Sequence, residues 1–170
     1  MIKIDGVKIS GISACVPKNV VNNEDLTENQ KLINSIGVKQ RRITSENQHT
    51  MDLCVFAAEN LIKEMDIEKN SIDAVIFVSQ TPEYQLPATA CIIQDILKLN
   101  NNIVAYDVNL GCSGYTHGLL LASSLIQSGF NNVLLLVGDT VSKIVEGNDN
   151  SSNLLFGDAG SATLIAQQVD

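Results

Sequence analysis

Asp107-Val-Asn-Leu-Gly-Cys-Ser-Gly-Tyr115 decides how the rest of the chain reads. Before it, Asn102-Ile-Val-Ala-Tyr106 is short, apolar and β-branched, the pattern of a buried strand. After it, the run from Thr116 to Ser128 is a mostly apolar helix closed by Gly129. Cys112 therefore falls where a buried strand hands over to a buried helix. Gly111 and Gly114 flank it and let the backbone turn sharply without a Cβ clash. A helix N-terminus offers free N–H groups and the positive end of its dipole, which favours thiolate over thiol and can hold an acyl oxygen. Buried cysteine usually only fills space, so the strand–Gly-Cys-Ser-Gly–helix context, and not the residue type, singles out Cys112.

The 170 residues are enough for one domain with a substantial core. They are 45% hydrophobic and 18% charged with few aromatics, which suits a core-rich α/β protein or a subunit that buries a large face against a partner. The formal net charge of -8 and the lack of a basic stripe argue against nucleic-acid binding. No apolar run approaches ~18 residues, so no membrane span is expected. Met1 to Asp5 lacks the basic-then-apolar pattern of a secretory leader, and a reducing cytoplasm is the expected compartment. Cys15, Cys54, Cys91 and Cys112 form no CxxC pair and suggest neither a zinc site nor a disulfide framework.

Val7 to Val16 alternates apolar with small or polar residues and predicts the first strand, ended by Pro17. Asn22 as a cap, followed by Glu24 and Asp25, predicts a short helix whose acids offset its dipole rather than form a catalytic pair. Gly37 stops the next helical piece. Lys39-Gln-Arg-Arg42 reads as a solvated basic turn into an extended segment, its functional alternative being a contact for an acidic carrier or a phosphate. Thr50 begins a helix with Met51, Leu53, Cys54, Ala57, Ala58, Leu61, Ile62 and Met65 at i, i+3, i+4 spacing. Cys54 is thus core, and His49 is a surface residue ahead of the cap. Asp73 to Ser79 is a continuous apolar run, hence a central strand, and Gln80 to Leu86 is a loop at its carboxyl end, where α/β folds place ligands. Pro87 opens a helix from Ala88 to Leu99 with Cys91 on its apolar side. Asn132 to Gly138 is another two-face-buried strand, Asp139 to Asn153 a polar, loop-rich excursion, and Leu154 to Ala166 a short strand, a glycine-hinged turn and a last strand. His117 lies roughly 140° around its helix from Cys112, so it is a helix-face residue satisfied locally and not the base for this thiol. The fold class is α/β: a mixed central sheet flanked by helices, with the cysteine at a strand-to-helix turn.

Four segments in register carry a more specific likeness: Ile36-Gly-Val-Lys-Gln-Arg-Arg42, Ser79-Gln-Thr-Pro-Glu-Tyr-Gln-Leu-Pro-Ala-Thr-Ala90, Asp107 to Tyr115, and Phe156-Gly-Asp-Ala-Gly-Ser-Ala162. Together they resemble the β-ketoacyl-acyl-carrier-protein synthase III branch of the thiolase-like condensing enzymes. The resemblance covers nearly the whole chain but only the amino-terminal half of the family's length. It implies that residues 1–170 form one thiolase-like half, truncated or split from a second, of a five-layer and usually homodimeric protein.

It further implies an acyltransferase of fatty acid biosynthesis acting on acyl thioesters of CoA or acyl carrier protein, with no cofactor and no metal. Cys112 would attack the thioester and hold the acyl group, its N–H serving as one oxyanion-hole donor. A His and an Asn from the second half would then stabilise the enolate formed when malonyl-carrier loses CO2. No segment here matches them, and neither His49 nor His117 is put in their place. Leu86 matches a position that crosses the dimer interface into the neighbour's acyl pocket. Gly157-Asp-Ala-Gly160 matches a loop near the active site and reads equally well as a tight turn the fold requires.

Two departures bear on the donor. Members primed by acyl-CoA often carry a Trp and an Arg that clamp the adenine, where this chain has Lys31 and Ser35. An ammonium cannot stack as an indole does, nor a hydroxyl replace a guanidinium. Asn150-Ser-Ser-Asn153 likewise stands where a basic residue is frequent. A carrier-bound donor, or a specialised transfer in a secondary or glycan pathway, is the alternative to CoA. A thiolase-like half that only dimerises is a second alternative. A nucleotide binder is a third, disfavoured because neither GxGxxG nor GxxxxGK[ST] occurs.

Overall fold

The structure is a computed structural model that describes residues 3–145 and 152–168. Its strands are β1 (Val7–Cys15), β2 (Asn19–Asn22), β3 (Gln40–Ile43), β4 (Ala74–Val78), β5 (Val104–Val108), β6 (Asn132–Thr140) and β7 (Asp158–Gln167). Its α-helices are α1 (Gln30–Ile36), α2 (Thr50–Glu64), α3 (Thr89–Ile96) and α4 (Gly114–Gln127). Five strands make one sheet in the order β1-β7-β6-β4-β5. β4 pairs parallel with β5 and β6, while β7 runs antiparallel to both β6 and β1. β2 and β3 form a separate antiparallel ribbon.

Side chains alternate across a strand, so the all-apolar runs of β4 and β6 can feed two cores at once. Val75, Phe77, Leu134 and Leu136 pack with α2 and α3 on one face. Ala74, Ile76, Val78, Val133 and Leu135 pack with α4 on the other. The helices approach closely through small residues. A Cβ on Gly160 of β7 would stand 2.6 Å from the Cys54 nitrogen and from the Leu53 carbonyl carbon, so α2 lies backbone-on-backbone over β7. α4 buries Gly114, Gly118, Ala122 and Ile126, an i, i+4 stripe.

Several expectations need correction. β5 starts two residues later than read and is the edge of the sheet, only half-buried. α4 is also less buried than its composition suggests, because just the four stripe residues are fully covered. The segment from Leu154 to Ala166 is not a strand pair: Leu154 lies in a turn, and β7 is one continuous strand containing Gly160. The glycine that looked like a hinge is there to admit α2. α3 ends at Ile96, and Cys91 lies on its exposed side. Asn22 does not cap; its side chain donates to Asp25, and the following turn is a 3-10 helix, Asn23–Asp25. Asp139 and Thr140 belong to β6, not to a loop. Of Asn150-Ser-Ser-Asn153, Asn150 and Ser151 lie outside the described residues.

The basic turn is a ribbon strand, and Arg41 is buried. Its Nε donates to Asn23 Oδ1 at 2.9 Å and its Nη1 to the Phe156 carbonyl at 3.1 Å. Asn23 Nδ2 in turn donates to the Val38 and Leu154 carbonyls. A guanidinium so occupied holds the ribbon to the segment before β7 and is not free for a carrier or a phosphate. Arg42 spends its Nη1 on the Pro17 and Lys18 carbonyls.

Candidate active site

Because β4, β5 and β6 run parallel, their carboxyl ends and the residues after them gather at one edge of the sheet. A cleft of about 420 Å³ lies there, lined by His49, Gln80, Thr81, Pro82, Glu83, Gln85, Asn109, Thr140, Lys143 and Ile144. The turn Gly111-Cys-Ser-Gly114 leaves β5 beside it and enters α4 at Ser113, the N-cap. The turn is closed by the Gly114 N–H, which donates to the Gly111 carbonyl at 2.6 Å. Among the described residues the Cys112 N–H has no acceptor, and its thiol is exposed. Exposure at a helix N-terminus makes this the thiol best placed for nucleophilic work.

The other cysteines are unlike it. Cys54 is fully buried, and burial pushes its thiol up to about 12, with Asp139 and Cys15 adding to the rise and a Ser161 backbone hydrogen bond opposing it. Burial also raises Cys15. Cys91 is exposed, near the Ala105 carbonyl. All four are free thiols.

A carboxylate that the motif reading passed over holds the loop after β4. Asp139 Oδ1 accepts from Ser79 Oγ at 2.9 Å, from the Gln80 and Thr81 N–H groups at 2.7 and 3.2 Å, and from Thr81 Oγ1 at 3.2 Å. Thr81 Oγ1 also accepts the Thr140 N–H, and Thr50 Oγ1 donates to the Thr81 carbonyl. The loop is thereby fastened to the end of β6 and the start of α2. A second carboxylate, Asp107, accepts from the Thr89 and Ala90 N–H groups at 2.6 and 2.7 Å and so caps α3, whose own N-cap, Ala88, has no side-chain acceptor. The available signal was an acid set in an otherwise apolar strand, where an unpaired carboxylate would be costly.

The remaining candidates fall as follows. Leu86 is 88% exposed. Gly157 precedes β7, where a Cβ would stand 3.0 Å from the Arg42 carbonyl oxygen, so close approach to the ribbon explains the glycine. Asp158, next to it, is buried and accepts from the Thr44 and Ser142 N–H and hydroxyl groups. His117 accepts or donates locally, its Nδ1 being 2.9 Å from the Ser113 carbonyl. His49 is not merely a surface residue: it is the N-cap of α2, lines the cleft, and has Nδ1 3.6 Å from Glu83 Oε1. Among the described residues no group of three His, Cys, Asp or Glu side chains is arranged to hold a metal. No helix is long and apolar enough to cross a membrane.

The family model for 3-oxoacyl-[acyl-carrier-protein] synthase III matches residues 106–170, which include Cys112 and its turn. A Campylobacter jejuni protein provisionally named a 3-oxoacyl-[acyl-carrier-protein] synthase 3 is 39% identical over 172 residues, covering 96% of this chain and 49% of its own length. The β-ketoacyl-[acyl-carrier-protein] synthase III of Neisseria gonorrhoeae is 36% identical, with 94% and 52% covered. The crystal structure of a 3-oxoacyl-(acyl-carrier protein) synthase from Burkholderia xenovorans superposes with a TM-score of 0.95 at 42% identity, over 98% of this chain and 50% of that one. The chain thus spans about half the length of the curated relatives it matches. Motifs, sequence and fold agree along nearly all its residues in likening the chain to about half of a 3-oxoacyl-[acyl-carrier-protein] synthase III.

Proposed function

We propose that this chain is the thiol-bearing half of a condensing acyltransferase, with Cys112 as the nucleophile. The observation that carries the reading is the exposed Cys112 in a glycine-flanked turn, at the carboxyl edge of three parallel strands and the N-terminus of α4. Its thiolate attacks the carbonyl carbon of an acyl thioester. The Cys112 N–H, free of any acceptor among the described residues, is available to the developing oxyanion. The carbonyl–sulfur bond to the donor breaks and the donor leaves as a thiolate, which takes up the proton Cys112 had given up, so the acyl group rests on Cys112. In the second half-reaction, loss of CO2 from a malonyl thioester yields a carbanion that attacks the acyl-cysteine carbonyl and expels the Cys112 thiolate. The His and Asn that the resemblance assigns to that step belong to the remaining half of the family's length.

A carrier-bound donor is favoured over CoA. Lys31 and Ser35 lie exposed on α1 and provide neither a stacking surface nor a guanidinium for an adenine nucleotide. The exposed Leu86 supports a homodimer in which this side chain reaches a second copy. Intact-mass analysis of the full-length protein with acetyl-carrier and acetyl-CoA tests the reading. An acyl adduct that is lost in Cys112→Ala, and larger with the carrier donor, is expected. A thiol that iodoacetamide reaches but neither donor acylates would overturn the assignment.

A further inference from the structure

Gln80 stands between the cleft and the nucleophile. It lines the cleft, and its side chain lies on Gly111, the residue before Cys112. The Gln80 amide carbon, Nε2 and Oε1 are 2.5, 2.5 and 2.6 Å from the point where a Gly111 Cβ would stand. Three near-equal distances mean that the carboxamide plane lies face-on against the glycine. Yet Gln80 is exposed and its carboxamide makes no hydrogen bond among the described residues, so its own polar contacts do not hold it there. What fixes it is its backbone: the Asp139 carboxylate takes the Gln80 N–H at 2.7 Å and three further donors from Ser79 and Thr81.

We infer that Gln80 is a positioning residue for Cys112, and that Asp139 acts through it. On the reading of Cys112 as nucleophile, which this inference deepens, the carboxamide braces the Gly111–Cys112 peptide. The sulfur and the Cys112 N–H then meet an incoming carbonyl in one fixed relation. A side chain at 111 would displace the Gln80 carboxamide from its place on the turn. Attack on a carbonyl requires both sulfur and N–H in register, and small misplacements cost it heavily. Alkylation by iodoacetamide requires only an accessible thiolate.

The two reactions therefore separate bracing from general structure. In the full-length protein, Gln80→Ala is expected to slow acylation of Cys112 by acetyl-carrier about tenfold while alkylation by iodoacetamide stays within about twofold. Gln80→Met, similar in length and able to lie on Gly111 without hydrogen bonding, should recover most of the rate. Asp139→Ala should slow acylation as Gln80→Ala does, and the double variant should be no slower than either single one, since both act along one path. If Gln80→Ala acylates at the wild-type rate, or loses acylation and alkylation equally, the brace is wrong. If the double variant shows additive losses, Asp139 does not act through Gln80. Should Asp139→Ala not fold, the Gln80 variants alone decide the brace. A wild-type protein that no thioester acylates sinks the nucleophile reading itself, a different result from a brace that fails on an active enzyme.

Discussion

α2 and α4 flank the same sheet, carry similar apolar content and are treated very differently by the fold. α2 buries nine residues of its fifteen, including Leu53, Cys54 and Ala57 at zero exposure. α4 buries four of its fourteen, three of them glycine or alanine, and leaves Leu119, Leu120 and Leu121 half-covered. Each has a cysteine near its start: Cys54 is sealed in the core, and Cys112 is in the open. Apolar composition alone marks a helix as one that will be covered. It does not say that the covering comes from the same chain, and α4 reads as a helix whose outer face is meant for further structure.

That contrast can be broken or sharpened by substitution. The largest effect is expected at Gly160, where a new side chain meets the α2 backbone, which cannot step aside. Gly160→Val should destabilise by about 3 kcal/mol or more in urea unfolding. At Gly118 a Cβ meets only the ends of Leu135 and Val78 side chains, and the gain in helix propensity offsets the crowding. Gly118→Ala should thus stay within about 1 kcal/mol. Equal losses at the two sites would erase the distinction between the helices.

Next in size is truncation of a leucine on each. Leu53→Ala should cost about 3 kcal/mol, as a fully buried core leucine does. Leu120→Ala, half-covered, should cost less than about 1 kcal/mol in the 170-residue chain. A loss at Leu120 that matches Leu53 would mean that α4 is already covered in solution.

The cysteines give a kinetic version of the same test. Peptide mapping after brief iodoacetamide treatment near neutral pH should rank Cys112 first, then the exposed Cys91, then Cys15, with Cys54 unmodified while the fold holds. Cys91 reacting faster than Cys112 would remove the case for activation at the α4 N-terminus.

Alkali gives a last test of the sealed cysteine. Cys54 titrates near 9.0 when unfolded and near 12 when folded, so above pH 9 the unfolded chain loses this proton first. Its contribution to stability is therefore intact below pH 9 and is lost as pH rises towards 12. Cys54→Ala should show a shallower decline over that window than the parent, and an identical slope would show that another group sets it.

Periodicity made much of this legible in advance. β4 and β6 announce themselves as unbroken apolar runs covered on both faces, and α2 by an apolar mark at every third to fourth residue. The cysteine turn was legible because glycine has few other reasons to flank it. What escaped was held by single side chains reaching across the sequence. Arg41 with Asn23, Asp139 with the loop after β4, and Asp107 with α3 pair positions that no local window contains together. Gly160 was misread for a related reason. The space it leaves is filled by a helix over one hundred positions earlier, and a glycine in a strand looks like a bend until that helix is in place.

Asp107 has one more consequence. A strand residue only five positions before the thiol grips the first two free amides of α3, three residues beyond Leu86. The exposed leucine and the sulfur are thus mounted on one common bracket, and neither can be displaced far without dragging on the other.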